Sequence, residues 1–242
     1  MTVPLAPKYQ GKVVVVTGAR KGLGRLLAEY FLEQGGIVIG ISRGEGSITH
    51  RSYEHRAVDV GDDKAVRAVF LKVARSHGTV DVLVNNAALT ASSHALLMPT
   101  AQAEAIVQTN VLGSFYVSRE AAKLMRRAKF GRIINIGSVM AVLEPAGGSL
   151  YAATKTASMT LAAVLAKEFA GYGITINTVA VSFLQTDMLD QLSGEKVDAM
   201  VAGLPIPRLA TPDDIFNVVD FFASPRSSYI TAQTVFLGGV HA

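Results

Sequence analysis

Four consecutive valines, Val13-Val14-Val15-Val16, run straight into Thr17-Gly18-Ala19-Arg20-Lys21-Gly22-Leu23-Gly24 and then into a helical pattern. No other stretch restricts the fold as much. An uninterrupted apolar run reads as a strand buried on both faces, which a parallel sheet covered by helices on each side provides. Behind the glycines, Leu23, Leu26, Leu27, Tyr30 and Phe31 recur at helical spacing, so a helix is expected over about Gly22 to Gln34. A turn between a buried strand and a helix N-terminus offers unpaired N–H groups and the positive end of the helix dipole to a phosphate. Glycine there permits the tight turn and close approach to a pyrophosphate. Glycine-rich turns alone are commonplace. The strand before and the helix after make this one a candidate dinucleotide loop.

The same alternation continues to the end of the chain. Strands are expected at Ile37 to Ile41, at a short run ending Ala57-Val58-Asp59, and at Val80 to Val84. Further ones follow at Arg132 to Ile136, Ile174 to Val179 and Thr234 to Leu237. Between them lie a helix opened by Asp62, a long one from about Ala101 to Ala128 with a break near Asn110, an alanine-rich one from Tyr151 to Ala170, and one from Pro212 to Phe222. Repeated β-α units imply right-handed crossovers and a doubly wound α/β fold. The expectation is one Rossmann-type domain over 1–242, with seven parallel strands and helices on both faces. The stretch from Thr186 to Ala210, with Gly194, Gly203, Pro205 and Pro207, is a candidate lid.

Composition narrows the function. Half of the 242 residues are hydrophobic and 17% are charged, enough for a large core. The chain has no cysteine, which excludes disulfides, thiolate metal sites and a cysteine nucleophile. His50, His55, His77, His94 and His241 show no metal-ligand spacing, so no metal is expected. The formal charge of +4 is spread thinly, and its densest run is Lys123, Arg126, Arg127, Lys129 and Arg132. That run reads first as a solvated helix face and second as a patch for an acidic partner; no nucleic-acid motif accompanies it. Neither a Gly-x-Ser-x-Gly elbow nor a Gly-Lys-Ser/Thr phosphate loop is present. With no signal-peptide pattern in Met1 to Gln10 and no membrane-length apolar run, a cytoplasmic location away from membranes is expected.

Tyr151 and Lys155 stand four apart on an expected helix and so share a face. An ammonium beside a phenol favours the phenolate and draws its pKa toward neutrality, as acid–base chemistry requires. Taken with Ser138, Asn110, the glycine loop and Asn85-Asn86-Ala87-Ala88, this Tyr-x-x-x-Lys pattern resembles the short-chain dehydrogenases/reductases over essentially the whole chain. The resemblance implies that Tyr151 gives a proton to a substrate carbonyl as hydride arrives, and that Lys155 tunes it and holds the nicotinamide ribose. It further implies that Ser138 binds the carbonyl oxygen and that Asn110 positions a relay water. A dinucleotide would lie along Thr17, Gly18, Arg20, Lys21, Gly22, Leu23 and Gly24, with Asp59 and Val60 at the adenine. Asn86, Ala87 and Ala88 would follow the ribose, and Leu184 and Thr186 would border the carboxamide. Where NAD enzymes place an acid after the second strand, this chain has Ser42-Arg43. With Lys21 nearby, that favours a 2′-phosphate, hence NADP(H).

Three departures stand out. Ala88 replaces a usual glycine, Val181-Ser182 replaces a Pro-Gly turn, and little chain is left for a helix between the second and third strands. Leu89, Val139, Met140, Val142, Leu143, Met188, Leu189 and Leu192 are candidate walls of an apolar substrate pocket. Gly131-Arg132-Ile133-Ile134 and Pro207-Arg208-Leu209 resemble the 3-oxoacyl-(acyl-carrier-protein) reductases within the family. The implied substrate is a small-molecule or carrier-bound carbonyl. Lys129 keeps a charge in the region where those reductases dock a carrier, whereas Tyr172 stands where arginine is common. A homotetramer is the family expectation. The alternative reading is a catalytically idle NADP-binding regulatory or structural protein that kept the fold.

Overall fold

The structure is a computed structural model that describes residues 7–184 and 201–240. Its strands are β1 (Val13–Thr17), β2 (Ile37–Ser42), β3 (Tyr53–Ala57), β4 (Val82–Asn85), β5 (Gly131–Ser138), β6 (Ile174–Val181) and β7 (Thr234–Phe236). They form one seven-stranded sheet in the order β3-β2-β1-β4-β5-β6-β7, with every neighbouring pair parallel. The helices are α1 (Gly22–Glu33), α2 (Asp63–His77), α3 (Thr100–Val107), α4 (Ser114–Ala128), α5 (Met140–Leu143), α6 (Ser149–Phe169) and α7 (Pro212–Ala223).

The valine run does what its composition requires. Val13 and Val15 pack with residues of α2, α4 and α6, whereas Val14 and Val16 pack with α1 and α7. Successive side chains of a strand point to opposite faces, so one apolar run serves two cores. Phe31 of α1 is fully buried, with the ring of Tyr9 edge-on at 4.7 Å. Local signals fix the helix ends. Asp62 accepts the Ala65 N–H at 3.0 Å to cap α2. Thr211 and Asp214 form a reciprocal capping box at α7, with Pro212 in the first turn. Asp220 of α7 then accepts hydrogen bonds from Tyr9 and Tyr30, both at 2.6 Å, and pairs with Lys8, fastening α7 to α1 and the N-terminal segment.

Several expectations shift in detail. The third strand ends at Ala57 rather than Asp59, and Asp59 begins the turn into α2. No helix intervenes between β2 and β3, in keeping with the shortness of that stretch. The break near Asn110 is a π-helical turn, Gln108–Gly113, between α3 and α4. Such turns inside α-helices often mark functional sites. Arg132 leaves the solvated basic run altogether. It is buried on β5, and its guanidinium donates to the carbonyls of Gly131 at 2.9 Å and Ser224 at 3.2 Å. Lys123, Arg126, Arg127 and Lys129 remain exposed. Among the described residues, no helix is long and apolar enough to cross a membrane.

Candidate active site

Chain order reverses between β1 and β4: β2 and β3 lie on one side of β1, and everything later lies on the other. A crevice opens at the C-terminal strand ends beside such a reversal. Thr17, the last residue of β1, joins its rims. Its Oγ1 accepts the N–H groups of Asn86 at 2.9 Å and Ala87 at 3.0 Å, while Asn86 Nδ2 donates to the Thr17 carbonyl at 2.9 Å. Gly18 and Gly22 have φ of 70° and 53°, left-handed values that suit glycine. At Gly24 a Cβ would collide with the Gly18 carbonyl and Asn86 Nδ2, so α1 enters hard against the loop. Gly24→Ala is expected to cost about 1–3 kcal/mol of stability from overpacking and to weaken dinucleotide binding at least about tenfold. Unchanged thermal unfolding and an unchanged dissociation constant would remove this account of the loop.

Leu23, whose backbone lies in the first turn of α1, is half-buried, while Arg20 and Lys21 are exposed on the loop. Past β2, Ser42 is half-buried and Arg43 exposed. Arg43, Asp59, Gly61, Asp62, Leu89, Ala105, Gln108 and Thr109 line a cavity of about 300 Å³. Asp59 Oδ1 accepts the Gly61 N–H at 2.8 Å, so its carboxylate is partly spent on the turn. Val60 is buried against Gly113. Ala88 is exposed, and Leu184 is buried, bridging to Ala210. Thr186, Met188, Leu189, Leu192 and the greater part of the candidate lid lie outside the described residues. Among the described residues, no cluster of three or more His, Cys, Asp or Glu side chains could hold a metal. A glycine loop at a helix N-terminus, Arg20 and Arg43 past the ends of β1 and β2, and an adjoining cavity fit a dinucleotide.

Further along the crevice, β5 ends at Ser138 and α6 carries Tyr151 and Lys155. Ser138 faces the Tyr151 phenol and acts on it electrostatically, and its Oγ accepts the Met140 N–H at 3.2 Å. Lys155 is 6% exposed; its Nζ donates to the Ile136 carbonyl at 2.7 Å and lies 5.6 Å from the Tyr151 ring centroid. Burial brings the ammonium down to about 8. Burial also raises the Tyr151 phenol, with Ser138 opposing. Desolvation thus moves the phenol upward, opposite to the downward pull expected from the spacing to Lys155.

Asn110 is buried in the π turn behind this pair. Its Oδ1 accepts the Leu89 N–H at 2.7 Å, and its Nδ2 donates to the Leu89 carbonyl at 2.9 Å and to Thr154 Oγ1 at 3.0 Å. The side chain thus ties the segment after β4 to α6 through Thr154. The main-chain carbonyl of Asn110 accepts the Ser114 hydroxyl at 2.8 Å and the Ser158 hydroxyl at 3.2 Å. The sequence reading passed over Thr154 and the Ile136 carbonyl. A hydroxyl beside the lysine was the one available signal for the first; a main-chain acceptor leaves none.

A model of the short chain dehydrogenase family matches residues 12–196, most of the chain, including the glycine loop, Asn110, Ser138, Tyr151 and Lys155. The chain belongs to that family. It is 36% identical over 236 residues to a 3-oxoacyl-(acyl-carrier-protein) reductase of Vibrio cholerae, covering 95% of this chain and 97% of that one. The solved structure of ElxO with NADPH bound is 29% identical, with a TM-score of 0.87 and coverage of 95% of this chain and 98% of the other. A short chain dehydrogenase of Leptospira borgpetersenii with bound NAD+ shares the fold, with a TM-score of 0.91 at 23% identity over 99% and 96% of the two chains. An oxidoreductase of this family is therefore established, on a Rossmann-type sheet.

Proposed function

We propose that the chain is an NADP(H)-dependent carbonyl reductase whose first candidate substrate is a 3-oxoacyl group carried as a thioester. The observation that carries this reading is Tyr151 between Ser138, which acts on its phenol, and Lys155, buried with its Nζ 5.6 Å from the Tyr151 ring centroid. The glycine loop Gly18 to Gly24 would hold the pyrophosphate, and Ser42, Arg43 and Lys21, with Arg20 beside Gly44, would hold a 2′-phosphate. Nicotinamide, when bound, supplies the hydride that reduces the carbonyl carbon. Ser138 donates a hydrogen bond to the carbonyl oxygen and stabilises the charge that develops there. Tyr151 transfers its phenolic proton to the same oxygen, so the product is an alcohol and the phenol is reprotonated from solvent. Lys155 faces the phenolate formed in that step and stabilises it. Asn110 holds Leu89 and Thr154 in place around the pair.

The thioester substrate draws support from the Vibrio cholerae relative and from the apolar side chains Met140 and Val142 on α5, directly after Ser138. Exposed apolar residues Val107, Leu112 and Val164 on the α3–α6 side, and Phe221 and Tyr229 near α7, support assembly through two faces into a homotetramer. Light scattering after size exclusion should give four times the monomer mass. The deciding assay is NADPH oxidation against a 3-oxoacyl thioester and a panel of simple ketones. Turnover of ketones with none of the thioester would remove the acyl reading, and equal use of NADH would remove the cofactor assignment.

A further inference from the structure

Ser42 meets the proposed 2′-phosphate with a partner behind it. His55, on the edge strand β3, sets Nε2 3.0 Å from the Gly44 carbonyl oxygen and 3.4 Å from Ser42 Oγ, while its Nδ1 lies 3.0 Å from the Tyr53 hydroxyl. A carbonyl oxygen only accepts, so Nε2 must carry the hydrogen. That hydrogen is shared between Gly44 and Ser42, and in the neutral ring Nδ1 accepts from the Tyr53 O–H. With Nε2 protonated, the Ser42 hydroxyl has no acceptor in the imidazole. Its own hydrogen is left for a ligand at the end of β2.

Glycines build this arrangement. A Cβ at Gly40 would collide with the Tyr53 hydroxyl, and one at Gly46 would stand 2.8 Å from the His55 ring. A Cβ at Gly44 would stand 3.6 Å from the Arg20 guanidinium, so the segment after β2 runs between Arg20 and His55. A phosphate offers oxygens that accept, and a serine fixed as donor suits it; a ribose hydroxyl both donates and accepts and gains less from that polarity.

We propose that His55, oriented by Tyr53 and the Gly44 carbonyl, holds Ser42 as a hydrogen-bond donor and thereby sets the preference for a dinucleotide bearing a 2′-phosphate over one with a free 2′-hydroxyl. This rests on the NADP(H) reading above. The test is the dissociation constant of NADPH and of NADH, by calorimetry at one fixed pH, for the full chain and three variants. His55→Leu should weaken NADPH about tenfold and NADH less than about twofold. Tyr53→Phe, which leaves the imidazole in place, should narrow the ratio about threefold. His55→Gln, whose amide can again donate to Gly44, should recover most of the wild-type ratio. If His55→Leu does not fold, as judged by circular dichroism, the Tyr53→Phe ratio decides. A wild type that prefers NADPH but keeps its ratio in these variants overturns the role of His55 alone. Equal weakening of both nucleotides overturns it too. A wild type that binds NADPH no better than NADH overturns the cofactor reading and this inference together.

Discussion

Tyr151→Phe is expected to lower kcat for carbonyl reduction by about 10²–10⁴-fold, the range for losing a positioned general acid. NADPH affinity should stay within about threefold, because the ring and its packing on α6 survive and only the transition-state proton is lost. The phenol is held above its usual range by burial. Reduction should therefore keep its rate as pH rises through neutrality, fall first as the Lys155 ammonium that stabilises the phenolate is lost near pH 8, and fall further as pH passes the raised phenol pKa. The reverse oxidation, which needs the phenolate, should grow over the same interval. Rates measured in both directions against pH check this. Full kcat in Tyr151→Phe would leave the fold bound to a different chemistry, or to none.

Lys155→Met is expected to abolish turnover and yet make the protein more stable at neutral pH. Burial lowers this ammonium from 10.5 to about 8 in the folded chain. Between those values the unfolded chain binds a proton that the folded one does not, so stability rises with pH there. Below about 8 the folded state bears the full cost of a buried charge, of order 3 kcal/mol for a shift of this size. Above 10.5 the cost is gone. Methionine removes the charge at similar volume but leaves the Ile136 carbonyl without its donor, a loss of about 1–3 kcal/mol. The expected net gain is about 1 kcal/mol at pH 7, shrinking or reversing toward pH 10. Urea unfolding at the two pH values measures it. A variant less stable at pH 7 would mean that the contacts of Lys155 outweigh its desolvation.

Much of this was legible because the decisive signals are local. Val13 to Val16 could only be a doubly buried strand, and the four-residue step from Tyr151 to Lys155 places both on one helix face whatever the tertiary structure. Strand ends were harder. β5 and β6 run two residues further than expected, through Gly137-Ser138 and Ala180-Val181, because pairing with β6 carries β5 on after its bulky side chains stop. Arg132 was miscounted for the opposite reason. Charge suggests exposure, but four main-chain carbonyls around the guanidinium make burial tolerable. The upward shift of Tyr151 could not be read from spacing, since desolvation depends on what covers a side chain rather than on its neighbour in sequence. His55 was hidden among polar residues of an edge strand, Tyr53-Glu54-His55-Arg56, where nothing in the pattern says which side chain turns toward the loop after β2.

The π turn at Gln108–Gly113 bears on how this chain tolerates insertion and deletion. A π turn carries about one residue more than the α turn it replaces, and each residue of an α-helix turns the chain by about 100°. Deleting any one residue of the segment would let α3 and α4 fuse into a continuous helix, a locally favourable outcome. The fused helix would keep its two ends in phase, because the π turn already absorbs the extra residue, but the wide turn that carries Asn110 against Leu89 and Thr154 would be lost; inserting a residue would instead rotate Val117, Ala121 and Met125 out of the core. Point substitutions on the solvent side of this helix should be absorbed readily, and single-residue length changes should not. The stretch behaves as slack taken up inside one helix, open to changes of spelling and closed to changes of length.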